Sequence, residues 1–134
     1  MSGFTLTAMR IGITDGGGNH MNEQILNIFK GFEVDGVSIP VSLIRYDGAA
    51  SSYVTFMRED DTGAYSADDE LQGWWTYYDF DVYSKSNYIR IADAVRARLE
   101  AAGWVWQPNS SNFDMWEPDT GFFHATLNFA HERS

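Results

Sequence analysis

The chain reads as an α+β domain: an antiparallel sheet with two helices packed on one face. Three observations predict this. Two stretches repeat their apolar residues at helical spacing, Asn22–Phe32 and Tyr88–Ala102. Between and after them run segments in which apolar and polar residues alternate, the period of a strand with one buried face. Those strands follow one another directly, and adjacent strand runs favour antiparallel pairing.

In chain order, residues 1–20 form an N-terminal extension. Phe4 to Ile13 has the pattern of a short strand, and Gly16, Gly17 and Gly18 then interrupt regular structure. A glycine pair just before Met21 has the look of a translated ribosome-binding site. The extension is therefore either a start-site misassignment, with Met21 as the native start, or a mobile arm that orders on assembly. Residues 21–134 are expected to be one domain. Asn22 is the expected cap of the first helix, and Ile25, Ile28, Phe29 and Phe32 fall on one face. Asp35-Gly36 signals a turn. The first core strand is expected over Val37–Tyr46, with Val37, Ile39, Val41 and Leu43 facing in; Pro40 places it at an edge. A small-residue loop, Asp47–Ser52, precedes a second strand over Tyr53–Arg58.

Glu59 to Gln72 is a long acidic connection containing Asp60, Asp61, Asp68, Asp69 and Glu70. The third strand, Gly73–Ser84, divides into two faces. Trp74, Thr76, Tyr78, Phe80 and Val82 read as core; Trp75, Tyr77, Asp79, Asp81 and Tyr83 mix rings with carboxylates and suit a solvated or partner-facing surface. After a polar turn, Ser86 or Asn87 caps the second helix, whose buried stripe is Tyr88, Ile91, Ala92, Val95, Leu99 and Ala102, and Gly103 terminates it. Phe113–Trp116 and Phe122–Ala130 form a hairpin around the turn Glu117–Gly121, with Phe123, Ala125, Leu127 and Phe129 facing in. The order is α-β-β-β-α-β-β, a sandwich in the ferredoxin-like style.

Composition narrows the function classes. The 134 residues are 44% hydrophobic and 21% charged, which is globular usage. Aromatics reach 16%, enough that some rings are expected at contacts with other chains as well as in the core. With no cysteine, disulfides, thiolate metal sites and cysteine catalysis are excluded. A net charge of −10 disfavours ordinary nucleic-acid binding but lets DNA slide past without sticking. No run of apolar residues approaches membrane-spanning length.

The acidic connection fails the EF-hand spacing, because Gly63 falls too early whether counting starts at Asp60 or Asp61. Asp79 and Asp81 share a strand face, but no nucleophile, basic clamp or ligand loop accompanies them, so no enzyme and no cofactor is expected. His124 and His131 point to opposite faces of a straight strand and cannot share a metal; His124 is expected to bond to the Glu117–Gly121 turn. Arg90, Arg96 and Arg98, interrupted by Asp93 and Glu100, read as a salt-bridged helix surface.

Several pieces in order resemble the tail-completion, or tail-terminator, proteins of long-tailed bacteriophages. They are the first helix, the strands Val37–Tyr46 and Tyr53–Arg58, and the run Tyr65-Ser66-Ala67-Asp68-Asp69-Glu70. They continue with Phe80-Asp81-Val82-Tyr83-Ser84, Asn87-Tyr88, Ala102-Gly103-Trp104 and the turn from Glu117 to His124. The resemblance covers Met21 to the C-terminus; the N-terminal extension and the Trp74-Trp75 pair depart from the pattern. It implies a virion structural protein that forms a ring, commonly six-fold, on the finished tail tube. The ring ends tube polymerisation and gives the head its docking surface. The implied partners are further copies of the chain, the tail tube protein and a head-completion or connector protein, with DNA passing through unbound and no membrane contact. The implied location is the head–tail interface of the virion, after assembly in the host cytoplasm. On this reading Trp75, Tyr77, Asp79, Asp81 and Tyr83 form an interface, while Asp60, Asp61, Asp68, Asp69 and Glu70 line the lumen or reach a neighbour. A head-completion or connector-adaptor protein is the nearest rival. A small-ligand-binding ferredoxin-like domain would instead need a deep pocket lined by Tyr78, Trp104 or Trp106, and an acidic DNA mimic would need carboxylates spread over a whole face.

Overall fold

The computed structural model describes residues 17–59 and 74–133 and shows an α+β architecture of two helices and a mixed sheet. Helix α1 spans Gly17–Ile28, earlier at both ends than its apolar spacing predicts. Glycine costs a helix interior about 1 kcal/mol, but Gly17 and Gly18 occupy the first turn, and Met21 and Ile25 behind them are buried. Asn22 is therefore inside the helix rather than its cap, and its Oδ1 accepts a bond from the Tyr78 hydroxyl at 2.7 Å. Phe29 and Phe32 remain buried beyond the helix end, carried by a tight turn that closes at Gly31, φ 68°.

The expected strand Val37–Tyr46 is two short pieces. Strands β1 (Glu33–Val34) and β2 (Val37–Ser38) make a hairpin of their own around Asp35 and Gly36. Both turn residues have positive φ, 55° and 80°, which matches the right-handed strand twist and requires the Asp-Gly pair. Ile39 then bonds back to the Phe32 carbonyl, and Pro40, lacking an N–H, offers only its carbonyl, to Val54 N at 2.9 Å. Pairing resumes in β3 (Val41–Leu43) and stops at Ile44, φ 69°. As a result Val37 and Leu43, expected inside, are 58% and 41% exposed.

Strand β3 runs parallel to β4 (Ser52–Arg58), so the sheet is mixed where a wholly antiparallel one was expected. Parallel neighbours usually need about a dozen connecting residues or more. Here residues 44–51 carry the chain back, with the Tyr46 ring folded over Gly48, where a Cβ would fall 2.0 Å from the phenol oxygen. The remaining pairs are antiparallel. β5 (Trp74–Ser84) lies between β4 and β8 (Phe122–Arg133), paired with β8 along its whole length from Trp74↔Arg133 to Ser84↔Phe123. The far edge of β8 is shared by β6 (Val105–Trp106) and β7 (Asn112–Glu117). β6 and a 3-10 turn at Pro108–Ser110 were not expected; two-residue strands carry no readable alternation.

Helix α2 spans Tyr88–Ala101 and ends, as its sequence predicts, at Gly103 with φ 93°. Asn87 stands at its N-cap without a side-chain capping bond, because its amide oxygen accepts from Ser84 Oγ instead. The expected stripe holds at Ile91, Ala92, Val95 and Leu99, whereas Ala102 is exposed. Arg98 reaches the C-terminus of α1 and donates to the Ile28 and Lys30 carbonyls at 2.6 and 3.2 Å. It thereby satisfies helix-end acceptors and places positive charge at the negative end of the dipole.

The apolar faces of both helices join Val54, Phe56, Tyr78, Phe80, Val82, Ala125, Leu127 and Phe129 in one core. Phe80 is at its centre, with the rings of Phe29, Phe56, Trp104 and Phe129 around it at 5.8 to 6.1 Å between centroids. Among the described residues no helix is long and apolar enough to cross a membrane.

Candidate functional site: the open face of the sheet

Because side chains alternate along a strand, burying Thr76, Tyr78, Phe80, Val82 and Ser84 sends Trp75, Tyr77, Asp79, Asp81 and Tyr83 to the opposite face, all half-buried. The structure thus brings the five predicted interface residues together on one surface. Asp60, Asp61, Asp68, Asp69 and Glu70 lie outside the described residues.

Register supplies each carboxylate with a donor from β8. Asp81 stands opposite Thr126 and accepts from its Oγ1 at 2.6 Å; the His124 ring nitrogen Nε2 lies 2.9 Å from the same carboxylate oxygen. The other His124 nitrogen is 3.3 Å from Glu117, as the expected turn contact requires. A neutral imidazole can donate to only one of these two carboxylates. Asp79 stands opposite Asn128, whose Nδ2 donates to Asp79 Oδ1 and to Glu59 Oε1, each at 2.8 Å. Asn128 is only 1% exposed, and its Oδ1 is buried without a partner. Burial pushes the Asp79 carboxyl above the usual carboxylate range; the Asn128 bond opposes this, and the nearby charges of Glu59 and Asp81 add to it.

At one end of this face the rings form a continuous stack. Tyr46 lies on Tyr53 at 4.6 Å, Tyr53 on Tyr83 at 4.8 Å, and Tyr83 on His124 at 4.1 Å, with the Phe122 edge against both Tyr53 and Tyr83. Burial, reinforced by Asp81 and Glu117, pushes the Tyr83 phenol up to about 12. Lys85 Nζ sits 5.1 Å from the Phe122 ring. Beside the stack is an open cleft of about 250 Å3 lined by Tyr46, Ala49, Ser51, Tyr53, Lys85 and Phe122. That is smaller than the roughly 300–1,000 Å3 of small-molecule pockets.

Tyr78, Trp104 and Trp106, the expected lining of a ligand pocket, are engaged in other contacts among the described residues. Tyr78 and Trp104 are buried in the core, and Trp106 bonds to Ser111 Oγ and stacks under Arg96 at 3.8 Å. Of the three helix arginines expected in a salt-bridged surface, Arg90 pairs with Asp35 and Arg96 with Glu100, whereas Arg98 donates to backbone carbonyls instead. His131 contacts Trp104 at 4.9 Å, on the opposite face from His124. Among the described residues no three His, Asp or Glu side chains are placed to hold a metal ion.

The sequence reading missed Asn128, Thr126, Tyr53, Tyr46 and Glu59 as members of this surface. A signal for the first two was present. If Ala125, Leu127 and Phe129 face in, then His124, Thr126 and Asn128 face out, beside Asp79 and Asp81. No family model, curated protein or solved structure matches the chain.

Proposed function

We propose that the chain is a tail terminator of a long-tailed bacteriophage: a virion structural protein whose copies form a ring on the tail tube, end its growth and present a surface to the head. One structural observation carries the reading beyond the order of sequence motifs. The helices close one face of the sheet, while the other, which no described element covers, is built from stacked rings and carboxylates held by cross-strand donors. Such a surface is ordered before any partner arrives, so little side-chain freedom is lost on contact. Aromatic enrichment is what protein interfaces use. The ferredoxin-like arrangement, a six-fold ring and a lumen lined by Asp60, Asp61, Asp68, Asp69 and Glu70 belong to the same proposal. So do the tube and head-completion partners and a place at the head–tail interface. The net charge of −10 supports it, because a negative wall lets DNA pass without binding.

The test is electron microscopy of lysates from a phage lacking this gene. Overlong or unjoined tails beside DNA-filled heads are expected. Normal tails beside leaky, tailless heads would move the protein to the head-completion side, and normal infectious particles would remove it from assembly.

A further inference from the structure

We propose that Glu59, Asp79 and Asn128 form a binding site for a calcium ion, and that the Asn128 amide turns over to admit it. Three neighbouring strands supply the side chains. Glu59 directly follows β4, and its backbone N–H is fixed to the Tyr77 carbonyl of β5 at 2.8 Å. Asp79 lies on β5, with Asn128 opposite it on β8. The end of the Asn128 amide points between the two acids, its Nδ2 2.8 Å from one oxygen of each.

Two observations beyond the pair of acids point to a ligand. The first is the other end of the amide. Asn128 is 1% exposed, yet its Oδ1 meets no donor among the described residues. Folded proteins seldom bury a polar atom in this way, and a bound ion is one of the few features that account for it. The second is spacing. The two ends of an amide are nearly alike in shape, so half a turn about χ2 brings Oδ1 to the place of Nδ2. The turn forfeits no bond at the inner end, because Oδ1 makes none there. Three oxygens then meet, with Oδ1 about 2.8 Å from the Glu59 oxygen and from the Asp79 oxygen. In the equatorial ring of a calcium site with bonds of about 2.4 Å, neighbouring oxygens are about 2.8 Å apart.

The donors select the ion. Two carboxylates and an amide carbonyl are calcium ligands, whereas zinc and copper favour nitrogen and sulfur. The imidazole on this face, His124, is committed to Asp81 and Glu117. Glu59 is exposed and Asp79 half-buried, so water completes the coordination shell. Asp81, two residues along the same face, adds to the negative field that draws the ion in. Once bound, the ion offsets the charges of Glu59 and Asp79 and ties the end of β4 to β8 across β5.

Titration of the full chain with calcium chloride tests this, followed by calorimetry and by the Asn128 side-chain amide signals in heteronuclear NMR spectra. A Kd of about 0.1–1 mM is expected, the range of weak calcium modules. The amide signals, identified by their loss in Asn128→Asp, should move as the site fills. Asp79→Asn should abolish the binding. Glu59→Gln, a change at an exposed position, should weaken it about tenfold or more, and it carries the test if Asp79→Asn fails to fold. Asn128→Asp adds a third carboxylate and should tighten it about tenfold. Asp93→Asn removes the same charge from the exposed side of α2 and should bind as the wild type does. Calcium held equally by the wild type and Glu59→Gln would place the ion elsewhere on this acidic chain and overturn the site. No binding at about 10 mM calcium, or Asn128 signals that stay in place at saturation, would overturn it too, and neither result touches the terminator reading.

Discussion

Replacing Asn128 by alanine should lower stability by about 2 kcal/mol, the balance of three effects that the site geometry separates. The substitution removes two hydrogen bonds to carboxylates, each 2.8 Å long. Bonds to charged groups contribute about 1.5–3 kcal/mol apiece. Glu59 is exposed and recovers water when its donor leaves, so its bond counts at the low end. Asp79 is half-buried and counts nearer the middle. Opposing these losses, the partnerless Asn128 Oδ1 is deleted as well. A buried orphan acceptor costs about 1–3 kcal/mol, so its removal returns part of what the bonds lose. For a chain of this length the net corresponds to a fall in Tm of roughly 6–10 °C. Urea unfolding and thermal melts at pH 7 measure it. Asn128→Asp keeps the shape but faces two carboxylates with a third; it should be worse than alanine at pH 7 and recover as the pH falls toward 4. A variant that melts with the wild type, or Asn128→Asp behaving like Asn128→Ala at both pH values, would refute the picture of one amide clamping two acids.

Other perturbations follow from the same geometry. Arg98→Ala should cost about 2 kcal/mol by exposing the end of α1, and Arg98→Lys should recover part of this in the same urea titration, since Arg98 bonds two carbonyls and lies over the Phe32 ring. Gly36→Ala should cost about 1–2 kcal/mol, because a Cβ is strained at left-handed φ; an unchanged urea midpoint would argue against the positive-φ turn at Asp35-Gly36. Tyr83 ionises in the fold only at about 12, against 10.0 for a free phenol. The unfolded chain therefore loses this proton first, and stability should fall as pH rises from 10 toward 12; absorbance titration should show a late phenol that Tyr83→Phe removes. Asp79 is raised above 3.8 by burial. Its contribution is favourable below that value and lost as pH rises through the folded pKa, so Asp79→Asn should flatten the stability profile on the alkaline side of 3.8.

How much of this was legible in the sequence depended on whether one period governed a segment. β5 was readable over most of its length, since one alternation runs from Trp75 to Ser84 and Thr76, Tyr78, Phe80 and Val82 are buried as their positions predict. Helix α2 was readable for the same reason, at its own period, with Gly103 marking its end. The stretch 37–46 misled because its alternation is real but serves two different pairings, with β1 before Pro40 and with β4 after it. A proline can mark an edge strand or a break between strands, and only the tertiary contacts of Ile39 and Pro40 choose between them. Parallel pairing of β3 was equally hidden, because alternation is the same in either direction. In the open face, the rings and carboxylates of β5 could be named from pattern, but their partners could not. Asn128 meets Glu59 across 69 positions of chain, a contact set by the registers of β4 against β5 and of β8 against β5 and by nothing local. The register of β8 on β5 also decides what the surface is. Slipped by one residue, β8 would turn Ala125 and Leu127 outward and bury Thr126 against the helices. The apolar side of the sheet therefore determines which donors meet Asp79 and Asp81, and the order of the open face is a consequence of core packing on the opposite side.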